Sequence, residues 1–518
     1  MTLQSLLASL PPVITRGDEL HDDLIITGAS SDSRTLLPGQ LFIAYAGDHS
    51  DGSQFLSQAF ASGAVAAVVS ADADIPKEWI DRCIRVTHLR RWAALASARA
   101  FGDPSDALLT LGVTGTNGKT SSAYLLKTLL ETAGHRVLLM TTVSHEFAGE
   151  SVATPNTTPD APVIQNALAH ARDAGATAAV IEVSAHGVAL DRITGTRFDG
   201  LLFTNLSEDH LDTFETMEQY YQAKAELFTD SIFHKPNCVA AIGFNDIYGE
   251  RLANTITLPR LSFGGSVGTK TPDVLSDSLV DGPQGITGTL TLTDNAMQVQ
   301  SKYPDTASLN VASNLQADFN RANIAGAAAL MLQCMSDVNN WRDGLKQPVI
   351  IPGRLNVISG HAAPFRVVVD FAHTGEALAN LLQGLRTSTT GRLITVFGAG
   401  GDRDPRRRQS LPQAVVDHGH VGVITLDNPR SEDPKHIIDA MVEHWQVALG
   451  SRDVALHVEP DRVAAIHWAL AEARAGDTVI LAGKGHETGQ QFADRVEPHN
   501  DSEVASCWLE NHYPLSTE

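Results

Sequence analysis

From Leu111 to Thr120 the chain reads Leu-Gly-Val-Thr-Gly-Thr-Asn-Gly-Lys-Thr, and no other ten residues restrict its fold as much. An apolar run at 107–111 precedes the glycines, and 121–132 follow at helical spacing with Gly134 just past their end. That order predicts strand, loop and helix. Full Gly-x4-Gly-Lys-Thr spacing would need glycine where Val113 stands, so this is a shortened phosphate loop. Its glycines let backbone N–H groups wrap an anion at a helix N-terminus, while the Lys119 ammonium reaches terminal phosphates and the Thr120 hydroxyl suits Mg²⁺.

Apolar runs at 136–140, 178–183, 201–205 and 239–244, separated by helical stretches, predict a mostly parallel sheet behind the loop. Ligands gather outside the carboxyl ends of such strands, where Glu182, Asn205 and Thr116 would converge. Before it, short runs at 41–44, 64–69 and 84–86 alternate with amphipathic stretches up to the turn Phe101-Gly102-Asp103-Pro104. After it, from Ile351-Pro-Gly-Arg354, strands at 366–370, 393–397, 421–426 and 478–481 each run into a charged or Gly-rich end. The fold class is α/β, and 518 residues make about three domains of roughly 150 residues each. Their expected bounds are 1–103, 104–349 and 350–518.

Sixty acidic against 38 basic residues give a formal charge of −22, which argues against a general grip on nucleic acid or on an anionic membrane. The N-terminal residues show no basic start followed by a long apolar run, and no stretch approaches the ~20 apolar residues that cross a bilayer. Cys83, Cys238, Cys334 and Cys507 lie far apart, as scattered thiols of a reducing cytosol do.

Further motifs follow in order: Asn-Thr-Thr-Pro at 156–159, Glu-Val-Ser-Ala-His at 182–186, Asn-Leu-Ser-Glu-Asp-His-Leu-Asp at 205–212 and Tyr-Tyr-Gln-Ala-Lys at 220–224. Asp32-Ser-Arg34 and Asp51-Gly52 precede them. Asp370-Phe-Ala-His-Thr374, Gly-Gly-Asp-Arg-Asp at 400–404, Asp-Asn-Pro-Arg at 427–430 and Gly-Lys-Gly-His-Glu at 483–487 come after. Taken singly, His210 is an ordinary loop histidine and Lys224 an ordinary helical amine. Together, across all three blocks, the series resembles the Mur ligases. Within them it resembles the type that adds the third amino acid to the peptidoglycan precursor UDP-N-acetylmuramoyl-L-alanyl-D-glutamate.

The resemblance implies a small N-terminal α/β domain for the UDP-sugar, a central P-loop ATPase-like domain and a C-terminal Rossmann-like domain for the amino acid. It implies a cytoplasmic monomer whose substrates are ATP, the UDP-N-acetylmuramoyl-dipeptide and meso-diaminopimelate, with Mg²⁺ as cofactor. An acyl phosphate, made from ATP and a carboxylate, is displaced by an amine. Gly115, Thr116, Asn117, Gly118, Lys119, Thr120 and Ser121 would hold phosphates, and Thr120, Glu182, His210 and a carbamylated Lys224 would hold metal. Asn320, Arg354, Asp370 and His373 would lie near the adenosine. Ser33 would meet the uridine, and Asn156, Thr157, Thr158, Ser184 and Arg192 the muramoyl peptide. Arg408, Asp427, Asn428, Pro429, Arg430, Gly483 and Glu487 would take the amino acid. Arg430 would pair with the distal carboxylate that L-lysine lacks, and Glu487 with the distal ammonium.

Some positions depart from the family pattern: Ser53 for a usual His, Ala185 for Ser, Asn356 for Glu, Phe371 for Tyr and Gly375 for Pro. Ala317-Asp318 stands where Gly-Arg is common, and Asn500-Asp501-Ser502-Glu503 for a more acidic run. The phosphate and metal residues are untouched. Alternatives are a Mur-type ligase for L-lysine or another amino acid, a folylpolyglutamate synthetase, and a nucleotide-binding paralogue without catalysis.

Overall fold

The apolar run before the phosphate loop is a strand only in its second half. A computed structural model describes residues 1–45, 51–154, 156–266, 270–282, 285–299, 307–358 and 361–515. In it Pro104–Ala107 form a 3-10 turn and the strand runs Leu109–Thr114, three residues further than the apolar pattern reaches. Pro104 has a fixed φ and no N–H, which suits the first turn of a helix and delays the strand. The helix after the loop is Lys119–Thr132.

The chain divides into two compact units. One comprises Met1–Leu275, Thr291–Ala307 and Ala325–Gly344, and the other Ser276–Leu290, Ser308–Ile324 and Leu345–Glu518.

The first unit holds two sheets. Strands β1 (Thr15–Arg16), β2 (Gly28–Ser30), β3 (Gln40–Ile43), β4 (Ala66–Ser70) and β5 (Cys83–Val86) lie in the order β1-β5-β4-β3-β2, parallel except for β1 at the edge. The second sheet contains β6 (Leu109–Thr114), β7 (Val137–Met140), β8 (Ser144–Phe147), β9 (Glu150–Ala153), β10 (Ala178–Glu182), β11 (Phe198–Phe203), β12 (His234–Gly243), β13 (Arg260–Gly264) and β14 (Val274–Leu275). Their order is β14-β13-β12-β11-β6-β10-β7-β8-β9. All pairs from β14 to β7 are parallel, and the β8–β9 hairpin closes one edge. Parallel strands covered on both faces read as unbroken apolar runs, which is why β7, β10 and β11 were legible. From β6 the chain passes to β7 and β10 on one side and then to β11 on the other, so the loop after β6 sits at the topological switch point. Register completes the placement: Glu182 pairs with Val113, and Phe203 with Thr114.

The second unit holds the antiparallel pair β15 (Leu279–Gly282) and β16 (Gly285–Leu292), with β17 (Ser308–Ser313) beside β16. Its main sheet has β18 (Asn356–Val357), β19 (Arg366–Asp370), β20 (Leu393–Phe397), β21 (Val421–Ile424), β22 (Ala455–Val458) and β23 (Thr478–Ala482), ordered β18-β19-β23-β20-β21-β22. All neighbours are parallel but β18. Alternation along each strand sorts the core into two layers. Val368, Phe397 and Ile480 pack on the helices Gly375–Arg386, Arg407–His418 and Pro434–Leu449. Val367, Val369, Val396 and Leu481 pack on Arg462–Glu472 and Asp501–His512. This is the expected Rossmann-like arrangement.

Arg462 and Asp501 form a fully buried ion pair, with Arg462 Nε to Asp501 Oδ1 at 2.8 Å and Nη2 to Oδ2 at 2.7 Å. Arg462→Met leaves the buried carboxylate with only His499 Nε2, at 2.7 Å, as partner and is expected to cost about 3 kcal/mol. Urea unfolding followed by tryptophan fluorescence measures it, and a loss below about 1 kcal/mol would contradict the assignment.

Candidate functional site

Gly115 and Gly118 bend the loop with φ of +146° and +82°. A Cβ on Gly115 would fall 1.9 Å from Thr204 Oγ1, so the close approach of loop and β11 requires glycine on steric as well as conformational grounds. Asn205, just past β11, fastens the loop. Its carbonyl accepts from the Thr116 N–H at 2.9 Å, its Oδ1 from the Asn117 N–H at 2.9 Å, and its Nδ2 donates to the Asn117 carbonyl at 3.1 Å. Lys119, Thr120 and Ser121 open a 14-residue helix, where N–H groups lack intrahelical acceptors and the dipole favours an anion.

Lys119 Nζ donates to the Thr116 carbonyl and Lys224 Nζ to the Gly115 carbonyl, both at 2.8 Å. Lys224 is 1% exposed on the helix Met217–Thr229. Burial, reinforced by the neighbouring Lys119, pushes its amine well below the usual lysine range. Glu182, at the end of β10, is also buried; its Oε2 accepts from Thr120 Oγ1 at 3.0 Å and from the Thr142 N–H at 3.1 Å, and its Oε1 from Thr142 Oγ1 at 3.0 Å. His210 is half-buried, with its ring 5.0 Å from that of His186 and 5.9 Å from that of Tyr220. Burial, with His186 and the two lysines adding to it against Asp209, lowers His210 to about 4, leaving a neutral imidazole at pH 7. Thr120 and Glu182 supply the oxygen donors that a hard cation takes, and a neutral imidazole can ligate. Among the described residues no three His, Cys, Asp or Glu side chains gather as a metal site by themselves.

The expected muramoyl-peptide residues border this group. Thr157 Oγ1 lies within hydrogen-bond distance of Thr142 Oγ1, at 3.0 Å. Thr158 is buried, donates to the Glu182 carbonyl at 3.0 Å and accepts from the Ser184 N–H at 2.9 Å. Ser184 caps the helix Ala185–Ala189, and Arg192 reaches the Thr158 carbonyl at 3.1 Å and Asp160 at 3.3 Å. Asn156 is exposed beside Thr154. Ser33 lies elsewhere, beside the five-stranded sheet, its hydroxyl donating to Gln58 Oε1 at 2.9 Å.

The second unit brings together two further groups. Asp370 ends β19 and accepts from the N–H groups of Leu355 and Ala372 at 2.8 Å; burial raises its carboxyl against the pull of Arg354. Arg354 lies 4.8 Å over the Phe371 ring, which also contacts His373 and His486. Asn320 is buried and donates to the Gln316 carbonyl at 2.6 Å. At Gly375, a Cβ would fall 2.4 Å from Ser410 Cβ, which favours glycine over the family's bulkier residue. The other group gathers past β21 and β23. Asn428 Nδ2 donates to Glu487 Oε2 at 2.8 Å, Gln490 Nε2 to the Asp427 carbonyl at 2.8 Å, and the Arg430 N–H to the Gln491 carbonyl at 3.0 Å. Arg430 Nη1 donates to the Gly401 carbonyl at 2.7 Å, and Arg408 Nη2 to Glu432 at 2.6 Å. Pro429 and Gly483 shape the backbone; Gly483 has φ +108° and donates to the Asp370 carbonyl at 3.1 Å.

Family models match three stretches: one for the Mur ligase family catalytic domain at residues 25–100, one for the Mur ligase middle domain at 113–331, and one for the Mur ligase glutamate ligase domain at 353–485. A UDP-N-acetylmuramoyl-L-alanyl-D-glutamate–2,6-diaminopimelate ligase of Synechococcus elongatus is 38% identical over 98% of this chain and 99% of its own. The chain belongs to the Mur ligase family. A relative of the same name from Geobacter sulfurreducens is 35% identical over 98% of both chains. A solved structure bearing that name aligns over 99% of both chains at 29% identity with a TM-score of 0.63. A Mur ligase from Thermotoga maritima, solved with ADP, shares the fold at 17% identity with a TM-score of 0.62 over 95% of this chain and 99% of its own.

Thr142, Thr204 and Lys484 escaped the sequence reading of this Mur ligase. Hydroxyl residues beside a strand end carry no spacing signal, whereas a lysine with a glutamate three residues on, in Gly483-Lys-Gly-His-Glu487, has the spacing of an ion pair. Gly115→Ala is expected to weaken nucleotide binding at least about tenfold, since moving Thr204 releases the Asn117 carbonyl that it holds at 2.6 Å. Calorimetric titration with an ATP analogue measures it, and unchanged affinity would contradict the steric argument.

Proposed function

We propose that the protein is an ATP-dependent ligase that adds meso-diaminopimelate to UDP-N-acetylmuramoyl-L-alanyl-D-glutamate, in cytoplasmic peptidoglycan precursor synthesis. The observation that carries this reading is the convergence of Lys119, Thr120, Glu182 and Lys224 on one phosphate loop, in a chain whose relatives of that name match it end to end.

The D-glutamate γ-carboxylate attacks the γ-phosphorus of ATP, ADP leaves, and the diaminopimelate amine displaces phosphate from the resulting acyl phosphate, losing its proton. Lys119 offsets charge on the transferring group, and the loop N–H groups hold the phosphates in line. Mg²⁺, when bound by Thr120, Glu182 and His210, supplies further charge neutralisation. The unprotonated Lys224 amine is the form that adds to CO2, losing a proton and becoming a carbamate; this turns a neutral nitrogen into an anionic oxygen ligand. Thr157, Thr158, Ser184 and Arg192, with Asn156 and Ser33, hold the muramoyl nucleotide; Asn320, Arg354, Asp370 and His373 hold the adenosine part. Arg430 pairs with the distal carboxylate of the amino acid, and L-lysine leaves that guanidinium unpaired.

The test supplies ATP, Mg²⁺, the UDP-muramoyl-dipeptide and either meso-diaminopimelate or L-lysine, and detects the tripeptide product by mass. Product with diaminopimelate alone supports the reading. Product with lysine removes the specificity, and no product with either removes the ligase. Lys119→Ala is expected to abolish turnover while the circular dichroism of the protein stays unchanged. Arg430→Ala is expected to lose about 1.5–3 kcal/mol of kcat/KM for diaminopimelate. Its affinity for ATP, titrated directly, is expected to stay the same, and equal losses in both would contradict the role of Arg430.

A further inference from the structure

A lysine ammonium rarely lies fully out of water, and when it does its partners reveal its use. Lys484 is 0% exposed. Its Nζ donates to Glu487 Oε2 at 2.8 Å and to Asn428 Oδ1 at 3.1 Å, and lies 3.7 Å from Asp427 Oδ1. The arrangement leaves the Asn428 amide one orientation: Oδ1 accepts from Lys484 and from the Gln491 N–H at 2.9 Å, so Nδ2 is turned to Glu487 Oε2. Both donors occupy the same oxygen of Glu487. Its side chain is 32% exposed, and among the described residues no donor meets Oε1.

We propose that Lys484 is a positioning residue of the amino-acid site, clamping one oxygen of Glu487 through itself and Asn428 so that the other is presented to the ammonium of the incoming amino acid. This rests on the ligase reading above. Lys484 need not touch substrate. Its charge also balances two carboxylates, Asp427 and Glu487, that would otherwise repel each other in a buried space. The charged groups around Glu487 are Lys484 and His486 on its own loop, Asp427 and Arg430 past β21, and Arg462 on a helix behind β23. Burial pushes the Glu487 carboxyl up, but Lys484 and Asn428 outweigh it and hold the group below the usual carboxylate range.

The experiment compares the wild type, Lys484→Gln, Glu487→Gln and the double variant, all full length, in the ligase assay with saturating co-substrates. Lys484→Gln keeps a hydrogen-bond donor but removes the charge. The expected result is a KM for diaminopimelate raised about ten- to a hundredfold, with the KM values for ATP and the UDP-muramoyl-dipeptide unchanged. The acid limb of kcat/KM for diaminopimelate moves to higher pH, because Glu487 without its cation protonates more readily. In the double variant the two effects do not add. Equal changes in all three KM values, an unmoved acid limb, or additive losses would each overturn the proposal. Should Lys484→Gln fail to fold, Lys484→Met, which keeps the length of the side chain without its charge, takes its place, with the same expected rise in the KM for diaminopimelate alone and the same move of the acid limb. Wild-type protein inactive with every amino acid would remove the ligase reading and this proposal with it, whereas an active wild type with an indifferent variant removes only the proposal.

Discussion

Two amines face one short loop, and most of the first unit's chemistry depends on how they are reconciled. Lys119 and Lys224 each meet a loop carbonyl, Thr116 and Gly115 respectively. The Gly115 carbonyl points as it does because φ of +146° is open to glycine and because no Cβ stands between the loop and Thr204. Thr204 and Asn205 are where they are because β11 pairs in register with β6. A chain of backbone geometry thus fixes both amines, and burial beside a second cation then strips Lys224 of its usual basicity. The phosphate loop and the residues proposed to hold metal are one construction rather than two neighbouring ones.

Electrostatics in the second unit follow a different rule. There the carboxylates are buried and the cations answer them: Arg462 lies against Asp501, and Lys484 between Asp427 and Glu487. Arg462 also donates to the Ala482 carbonyl at 2.9 Å, where β23 gives way to the Gly483 to Glu487 loop. A buried pair of this kind adds little net stability over apolar packing, but breaking it is costly, so its use is to hold a loop in one place.

Much of this was legible in the sequence where local pattern and tertiary role coincide. β19 and β20 were read to the residue because a strand buried on both faces is apolar throughout. The strand before the phosphate loop differs from its apolar pattern at both ends, since Gly112 interrupts the run and Pro104 to Ala107 do not look helical. Gly112 is in β6 because it pairs with Ile181 and Leu201 of the neighbouring strands, and it is glycine because a Cβ there would meet Leu201 and Phe198, tertiary causes with no local signature. The roles proposed for Glu182 and Lys224 come from family resemblance; what the fold adds is their fixed placement, through Thr142 on one carboxylate and the Gly115 carbonyl on one amine. β8, β9 and β15 to β17 are short or exposed on one side, and their mixed composition hid them.

Arg430 holds a left-handed backbone, with φ of +52°. For a side chain of that size the conformation costs about 1 kcal/mol, which glycine or asparagine would largely avoid. Under the role proposed for Arg430, the fold and the acceptor make opposite demands on this position: an unstrained backbone favours glycine or asparagine, and pairing with a distal carboxylate requires arginine. Where demand for that acceptor relaxed, the side chain would be lost downhill in folding free energy. Regaining it would run uphill, which makes acceptor choice easier to abandon than to recover.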